Sequence, residues 1–326
     1  FQNRFIAALG DADTTPRGDP KRQRPTDIRA SEVPSAVDGF HSTVDPALWP
    51  AGESAAADRL TRFIQHRSAQ YREARDIPSV EGTSSLSPYL AAGVISPRQC
   101  LRAAMEADGG AIRIGKKHAG DPTGCGTWIS ELIWREFSIH LTHLMPRVCM
   151  GMACKPVDRR IAWRRDEAGF RAWCAGRTGF PIVDAAMRQL SATGWMHNRL
   201  RMIAAMFLTK DLLIDWRWGE RHFMRHLVDG DLGSNNGGWQ WSASTGTDSV
   251  PYFRIYNPAS QTKRFDPDGT FMRRWIPELR EAPASGIIDP TRMSEADRAR
   301  SGYPSPIVDH AMARDRVMAA FRAASG

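Results

Sequence analysis

The chain has 326 residues, 42% hydrophobic and 25% charged, which suits one large or two ordinary globular domains with a buried core. It holds no run of about 18 apolar residues, no signal-type apolar core and no initiator Met, so we expect a soluble cytosolic protein, without membrane association, whose start is missing or removed. The net charge of +8 favours a polyanionic partner, and five cysteines without a C-x-x-C pair argue against a disulfide framework and a zinc site, leaving free thiols.

Residues 10–50 are rich in Gly, Pro, Asp, Arg and Thr, as in Gly10-Asp11-Ala12-Asp13-Thr14-Thr15-Pro16, and read as a linker or surface-hugging loop. From Ser54 the pattern turns helical, with Leu60, Phe63, Ile64 and Arg67 at helical spacing until Ile77-Pro78. Thr83-Ser84-Ser85-Leu86-Ser87-Pro88 places hydroxyls and unpaired N–H groups ahead of a short helix running from Pro88 to Ala92, an arrangement that attracts phosphate. Ser96-Pro97-Arg98-Gln99 is a capping box with Pro at the first helical position, opening a helix through Met105. Further helices are expected over 126–145, 166–175, 181–193, 196–213 and 218–228. Alternating β-branched runs are nearly absent, so the expected class is all-α after the linker, with no internal repeat.

Within the 126–145 helix, Trp128, Glu131, Trp134 and Arg135 share one face, while Leu132, Ile133 and Phe137 point into a core. In the 196–213 helix, Asn198, Arg201 and Met202 form a second polar stripe. Residues 229–241, Asp-Gly-Asp-Leu-Gly-Ser-Asn-Asn-Gly-Gly-Trp-Gln-Trp, read as a turn-like segment whose mixture suits a binding cavity better than a core. His222 and His226 stand at i, i+4 without a third ligand, so a solvated helix face is expected there and no metal site. Taken singly, each tryptophan reads as a core residue and Glu131 as the partner of a nearby arginine.

Several of these segments occur in an order that carries a resemblance. Tyr71 with Arg75, Glu81-Gly82-Thr83-Ser84-Ser85-Leu86-Ser87, residues 128–135, Gly179-Phe180-Pro181-Ile182-Val183-Asp184-Ala185-Ala186-Met187-Arg188, and the segments 194–202 and 229–241 are together similar to the DNA photolyase/cryptochrome family. The likeness runs from about Tyr71 to the C-terminus and is strongest to class I cyclobutane pyrimidine dimer photolyases. It implies a helical FAD-binding catalytic domain over 51–326, preceded in 1–50 by a remnant of an antenna domain and an interdomain linker.

The resemblance implies a non-covalent FAD in a folded-back shape, its pyrophosphate held by Tyr71, Thr83, Ser84, Ser85, Leu86 and Ser87. Trp128 and Arg201 would flank the cofactor, Asp229, Gly230 and Asp231 would lie on the flavin side, and Asn235 would face flavin N5. The implied reaction is light-dependent: photoexcited reduced FAD donates an electron to a flipped-out cyclobutane dimer, the ring splits and the electron returns. Glu131 would hydrogen-bond the dimer, Asn198 and Arg199 would hold dimer and phosphate, and Trp134, Met202 and Trp241 would wall the flipped bases. Arg75, Arg135 and Gln261 would contact the strand of damaged DNA, with affinity falling as salt rises. Trp163, Trp216 and Trp239 match the family's electron relay from surface to flavin.

An antenna chromophore of folate or deazaflavin type would belong to a longer protein, and Met150 stands where folate-binding relatives tend to place Lys. The protein is expected to act as a monomer. A cryptochrome-type blue-light receptor, signalling through partner binding, is the alternative; such proteins commonly carry a C-terminal extension, whereas this chain ends soon after its last helical stretch. Repair of (6-4) photoproducts would call for histidines at the positions of Asn198 and Met202. A basic helical DNA-binding module without redox chemistry leaves residues 229–241 unexplained.

Overall fold

Polar caps fix where most helices start in the computed structural model, which describes residues 1–10, 27, 29, 31, 32, 34, 37–39, 42–110, 114, 123–248 and 253–326. Most of the linker segment, including residues 11–26, lies outside the described residues. The first group of helices is α1 (Gln2–Gly10), α2 (Glu53–His66), α3 (Tyr71–Ala74), α4 (Ser87–Ala91), α5 (Pro97–Ala107) and α6 (Gly124–Leu144). The Ser96–Gln99 capping box opens α5 with both of its reciprocal bonds formed, and Thr123 caps α6 through the N–H of Gly126. The helix expected from Ser54 to Ile77 breaks at His66 and resumes as the single turn α3. At that break Gly124 lies so close to the chain that a Cβ would come within 2.0 Å of the Ser68 carbonyl oxygen, so only glycine fits.

The second group is α7 (Glu167–Cys174), α8 (Pro181–Thr193), α9 (Asn198–Met206), α10 (Trp216–His226) and α11 (Leu232–Ala243). It continues with α12 (Pro258–Phe265), α13 (Thr270–Trp275), α14 (Ala284–Ile288), α15 (Glu295–Ser301) and α16 (His310–Ser325). Helix α8 has the expected bounds. The segment expected to run unbroken from Met196 to Leu213 instead starts at Asn198 and ends in a π-turn, Phe207–Asp211. Residues 229–241, read as turn-like, are mostly the helix α11. Asp231 caps it by accepting the Ser234 N–H, and buried Asn236, Trp239 and Gln240 hold a segment whose glycines and asparagines favour helix poorly. Among the described residues, Arg164 and Ile214 form an isolated bridge and no named strand occurs.

Among the described residues two large cores form, beside a smaller cluster of Ile161, Leu213, Val317 and Ala324. One gathers Phe63 of α2, Leu86 at the N-cap of α4, Leu101 of α5 and Trp128, Ile129 and Ile133 of α6, with Phe5, Ile6 and Leu9 of α1 packed against it. The other, around α8 to α11 and α13, contains Trp173, Met187, Leu200, Ile203, Trp216, Phe223, Trp239 and Phe271. Each fully buried side chain of this size contributes roughly 1.5–3 kcal/mol. Phe137, expected in a core, is half-buried and meets Phe1 at a centroid distance of 5.3 Å.

Two polar networks lock the second core. Asp184 is fully buried and accepts from Thr178 N and Oγ1, Gly179 N and the Tyr303 hydroxyl, so the 179–188 motif serves the fold rather than a cavity. Lys210 of the π-turn, also fully buried, donates to Ala243 O at 2.9 Å and Ser244 Oγ at 2.8 Å, and stands 3.9 Å from the Phe253 ring centroid. It thereby satisfies the C-terminal end of α11. Burial holds its ammonium well below the usual lysine range.

Candidate active site

The two cores meet along a cleft. Its two lobes of about 320 and 250 Å³ share Asn198, Arg201, Asp229, Asp231 and Ser234, and together they fall in the size range of cofactor clefts. The larger lobe adds Tyr71, Thr83, Ser84, Ser85, Leu86, Ser87, Trp128, Glu131, Trp134 and Arg135. The smaller adds Met202, Asn235, Trp239 and Trp241. Both helical stripes foreseen from spacing, on α6 and α9, therefore face one cavity.

Local structure explains how each wall is set. The hydroxyl turn ahead of α4 holds Ser85 at φ 51°, a left-handed conformation that costs a non-glycine residue roughly 1–3 kcal/mol. Thr83 Oγ1 and Ser85 Oγ lie 3.5 Å apart, and Leu86 N donates to Ser84 Oγ. Behind this turn a third hollow, of about 380 Å³, shares Thr83, Ser84 and Ser85 and carries Arg59, Arg62, Arg67 and Arg274, which raises the local positive potential. Tyr71 is buried edge-on to Phe63, and burial pushes its phenol up, so it stays an O–H donor at neutral pH.

On the α9 side Arg201 clamps two partners. Its Nε donates to Met196 O at 2.8 Å and its Nη2 to Asp229 Oδ2 at 2.6 Å. The Asp229 side chain is only 3% exposed, and its buried Oδ1 finds no hydrogen-bond partner among the described residues. Asn235 gives its Nδ2 to Glu220 O at 3.0 Å, which leaves Oδ1 for the cavity. Asp231 spends Oδ1 on capping α11.

The residues expected on the substrate side are tied into ion pairs. Glu131 Oε1 takes Arg75 Nη1 at 2.7 Å, and Arg75 also stands over the Tyr71 ring. Asp76 accepts Arg199 Nη2 at 2.9 Å, while the same guanidinium lies 4.6 Å from the Phe265 ring centroid. Arg75 and Arg199 thus sit behind the lining side chains Glu131 and Met202 rather than in the wall. Trp134 is half exposed, and Arg254 stands 5.0 Å from the Trp241 ring centroid.

Other expected site residues lie outside the cavity wall. Gly230 closes the turn ahead of Asp231 by donating its N–H to Leu227 O at 3.3 Å, and Gln261 lies on α12. Trp216 is fully buried and Trp163 half-buried, both in or against the second core that also contains Trp239. Trp239 packs so tightly on α10 that a Cβ on Gly219 would come within 2.1 Å of its ring. Trp173 is its nearest described aromatic of the same kind, with centroids 5.9 Å apart. His222, expected on a solvated face, instead packs on Trp173 at 5.4 Å beside the Cys174 thiol, and burial lowers its pKa to about 4. Ser138, Ser234 and Trp195 also line the cavity without having been assigned a role. Extending the α6 stripe by one turn reaches Ser138; Ser234 carries no comparable signal.

Residues 128–323 match the profile of the FAD binding domain of DNA photolyase. The chain belongs to this photolyase family. It is 49% identical over 280 residues to the deoxyribodipyrimidine photo-lyase of Escherichia coli K12, covering 86% of this chain and 58% of that protein. The crystal structure of a bacterial class III photolyase from Agrobacterium tumefaciens superimposes with a TM-score of 0.80 at 38% identity, covering 98% of this chain and 67% of that one. The Synechocystis cryptochrome superimposes with a TM-score of 0.75 at 31% identity, covering 86% and 58%. The chain spans about three fifths of the length of the curated photolyase relatives it matches.

The residues of this photolyase-family cavity fit an FAD. The unpartnered Asp229 Oδ1 needs a donor, and hydroxyl or ring N–H groups of a dinucleotide offer one. The hydroxyl turn with arginines behind it suits a pyrophosphate, while Trp128, Leu132, Phe223 and Leu227 supply apolar walls for flat rings. Among the described residues, no helix is long and apolar enough to cross a membrane.

Proposed function

We propose that residues 51–326 form a catalytic unit that holds FAD in this cavity and performs light-dependent repair of cyclobutane pyrimidine dimers in DNA. The observation that carries the reading is a single cavity in which a phosphate-type turn, the Arg201–Asp229 clamp and the Glu131, Asn198, Met202 and Trp241 walls adjoin. When bound, reduced and photoexcited, FAD supplies a one-electron donor. The chain's own residues do the rest. Tyr71 and the 83–87 turn bind the pyrophosphate, Trp128 and Arg201 flank the cofactor, and Asp229 and Asp231 orient it.

Asn235 meets the cofactor ring with a neutral amide oxygen, which adds no negative charge beside an electron-rich ring. A dimer flipped from the duplex would lie against Trp134, Met202 and Trp241, with Glu131 hydrogen-bonding its polar edge and Asn198 holding its base. Arg75, Arg135, Arg199 and Gln261 meet the damaged strand; Asp76 holds Arg75 and Arg199 in place for phosphate. Neither Asn198 nor Met202 can relay a proton, which favours cyclobutane dimers over (6-4) lesions. Trp163, Trp216 and Trp239 form an electron relay that resupplies the cavity from the surface. DNA carrying one lesion of each kind tests this reading: blue light should remove the cyclobutane dimer alone, and removal of neither lesion by flavin-loaded protein overturns it.

A further inference from the structure

Trp216 differs from the other two relay indoles in having a hydrogen-bonded countercharge. It opens α10, and its Nε1–H donates to Oδ1 of Asp158 at 2.9 Å. Asp158 is itself 4% exposed, in the short turn Pro156–Arg160, and its Oδ2 accepts Arg217 Nη2 at 2.5 Å. That guanidinium stands 4.5 Å from the Trp216 ring centroid and is paired a second time, with Asp215 at 3.0 Å. Two carboxylates therefore face one guanidinium around this indole. Among the described residues Trp163 has no such partner: its Nε1 is buried without a hydrogen bond, and its ring meets Phe321 edge-on. Trp239 is enclosed by Trp173, Phe223 and Gly219.

We propose that Asp158 is a positioning residue that makes Trp216 easier to oxidise than Trp239, so that electron transfer between them runs outward to inward and is slow to reverse. The inference rests on the relay reading given above. Trp239 becomes a one-electron-oxidised indole after giving an electron to a photoexcited oxidant of the flavin class. In the step concerned Trp216 loses one electron, Trp239 gains it and returns to the neutral indole, and no covalent bond between heavy atoms changes. Oxidation makes the Trp216 N–H more acidic, which strengthens its bond to the carboxylate; the proton remains within that hydrogen bond. A buried charge within about 5 Å of a cationic ring, at an effective dielectric near 20, shifts such an equilibrium by at least about tenfold.

Asp158→Asn keeps an oxygen for the indole N–H and removes the charge, whereas Asp158→Glu keeps the charge. Laser-flash absorption of flavin-loaded protein, compared at equal flavin content, should show the yield of long-lived indole radical falling about tenfold in Asp158→Asn and recovering in part in Asp158→Glu. A readout independent of light is the Nε1–H resonance of Trp216 in an indole-labelled nitrogen–proton spectrum, assigned by its loss in Trp216→Phe. It should move upfield in Asp158→Asn. If Trp216→Phe abolishes the long-lived radical while Asp158→Asn keeps the yield within twofold, the inference falls and the relay stands. An unchanged radical in Trp216→Phe overturns the relay itself, and the inference with it. Should Asp158→Asn fail to fold, Arg217→Gln reads the same balance from the other side: the yield should rise, and an unchanged or lower yield overturns the proposal.

Discussion

Arg201 on α9 and Asp229 ahead of α11 meet at 2.6 Å, leaving the second Asp229 oxygen buried and unpartnered against the cavity. The pair joins two helices and shapes a ligand wall at once. Arg201→Ala strands a carboxylate that is 3% exposed, so urea unfolding of the flavin-free protein should show a loss of about 3 kcal/mol. Flavin should also wash out on gel filtration. An unchanged unfolding midpoint with full flavin retention would contradict this dual role.

The Arg75–Glu131 pair, at 2.7 Å, holds Glu131 at the rim of the larger lobe. Glu131→Ala should reduce the repair rate at saturating light by at least about tenfold, the weight of a hydrogen bond made by a charged group. Flavin content, read from visible absorbance, should fall much less. Equal losses of both would assign Glu131 to cofactor retention instead.

Trp239 rests on Gly219, where an added Cβ would lie 2.1 Å from the ring. Gly219→Ala should therefore destabilise the protein by about 1–3 kcal/mol through overpacking and turn the Trp239 ring. Thermal unfolding together with near-ultraviolet circular dichroism checks both effects. A variant identical to the parent in both measurements would mean that α10 and α11 shift apart without strain.

His197 caps α9 with its Nδ1 and is 3% exposed, and burial lowers its pKa from 6.5 to about 4. Between these values the unfolded chain binds a proton that the folded one does not, so this contribution is lost as pH falls from about 6.5 toward 4. His222 acts with the same sign, while buried Asp184, Asp211 and Asp266, whose carboxyls are held above the usual range, act oppositely. The informative quantity is the difference between parent and His197→Asn, because asparagine can keep the cap. The variant should lose less stability than the parent between pH 6.5 and 4. Parallel pH curves would show that His197 does not carry this dependence.

Local signals are the ones legible in the sequence. The α5 capping box, the Pro181–Thr193 helix and the stripes of α6 and α9 follow from caps and spacing within a turn or two. Helix α11 was hidden because its propensities point to a turn, while distant residues, Gly219 beneath Trp239 and Lys210 at its C-terminal end, support it. The Asp76 contacts of Arg75 and Arg199 and the left-handed Ser85 are likewise products of tertiary packing, with no periodic trace. His222 misled for the same reason: its neighbours Trp173 and Cys174 come from α7, about fifty residues earlier.

The central claim is tested most directly by exposing DNA that carries a defined cyclobutane thymine dimer to the purified protein loaded with reduced FAD, and counting intact dimers after blue light and after darkness. The account predicts loss of dimers in the light, none in the dark, and little with Glu131→Ala. Folded, flavin-bound protein that leaves the dimers intact under blue light would contradict it.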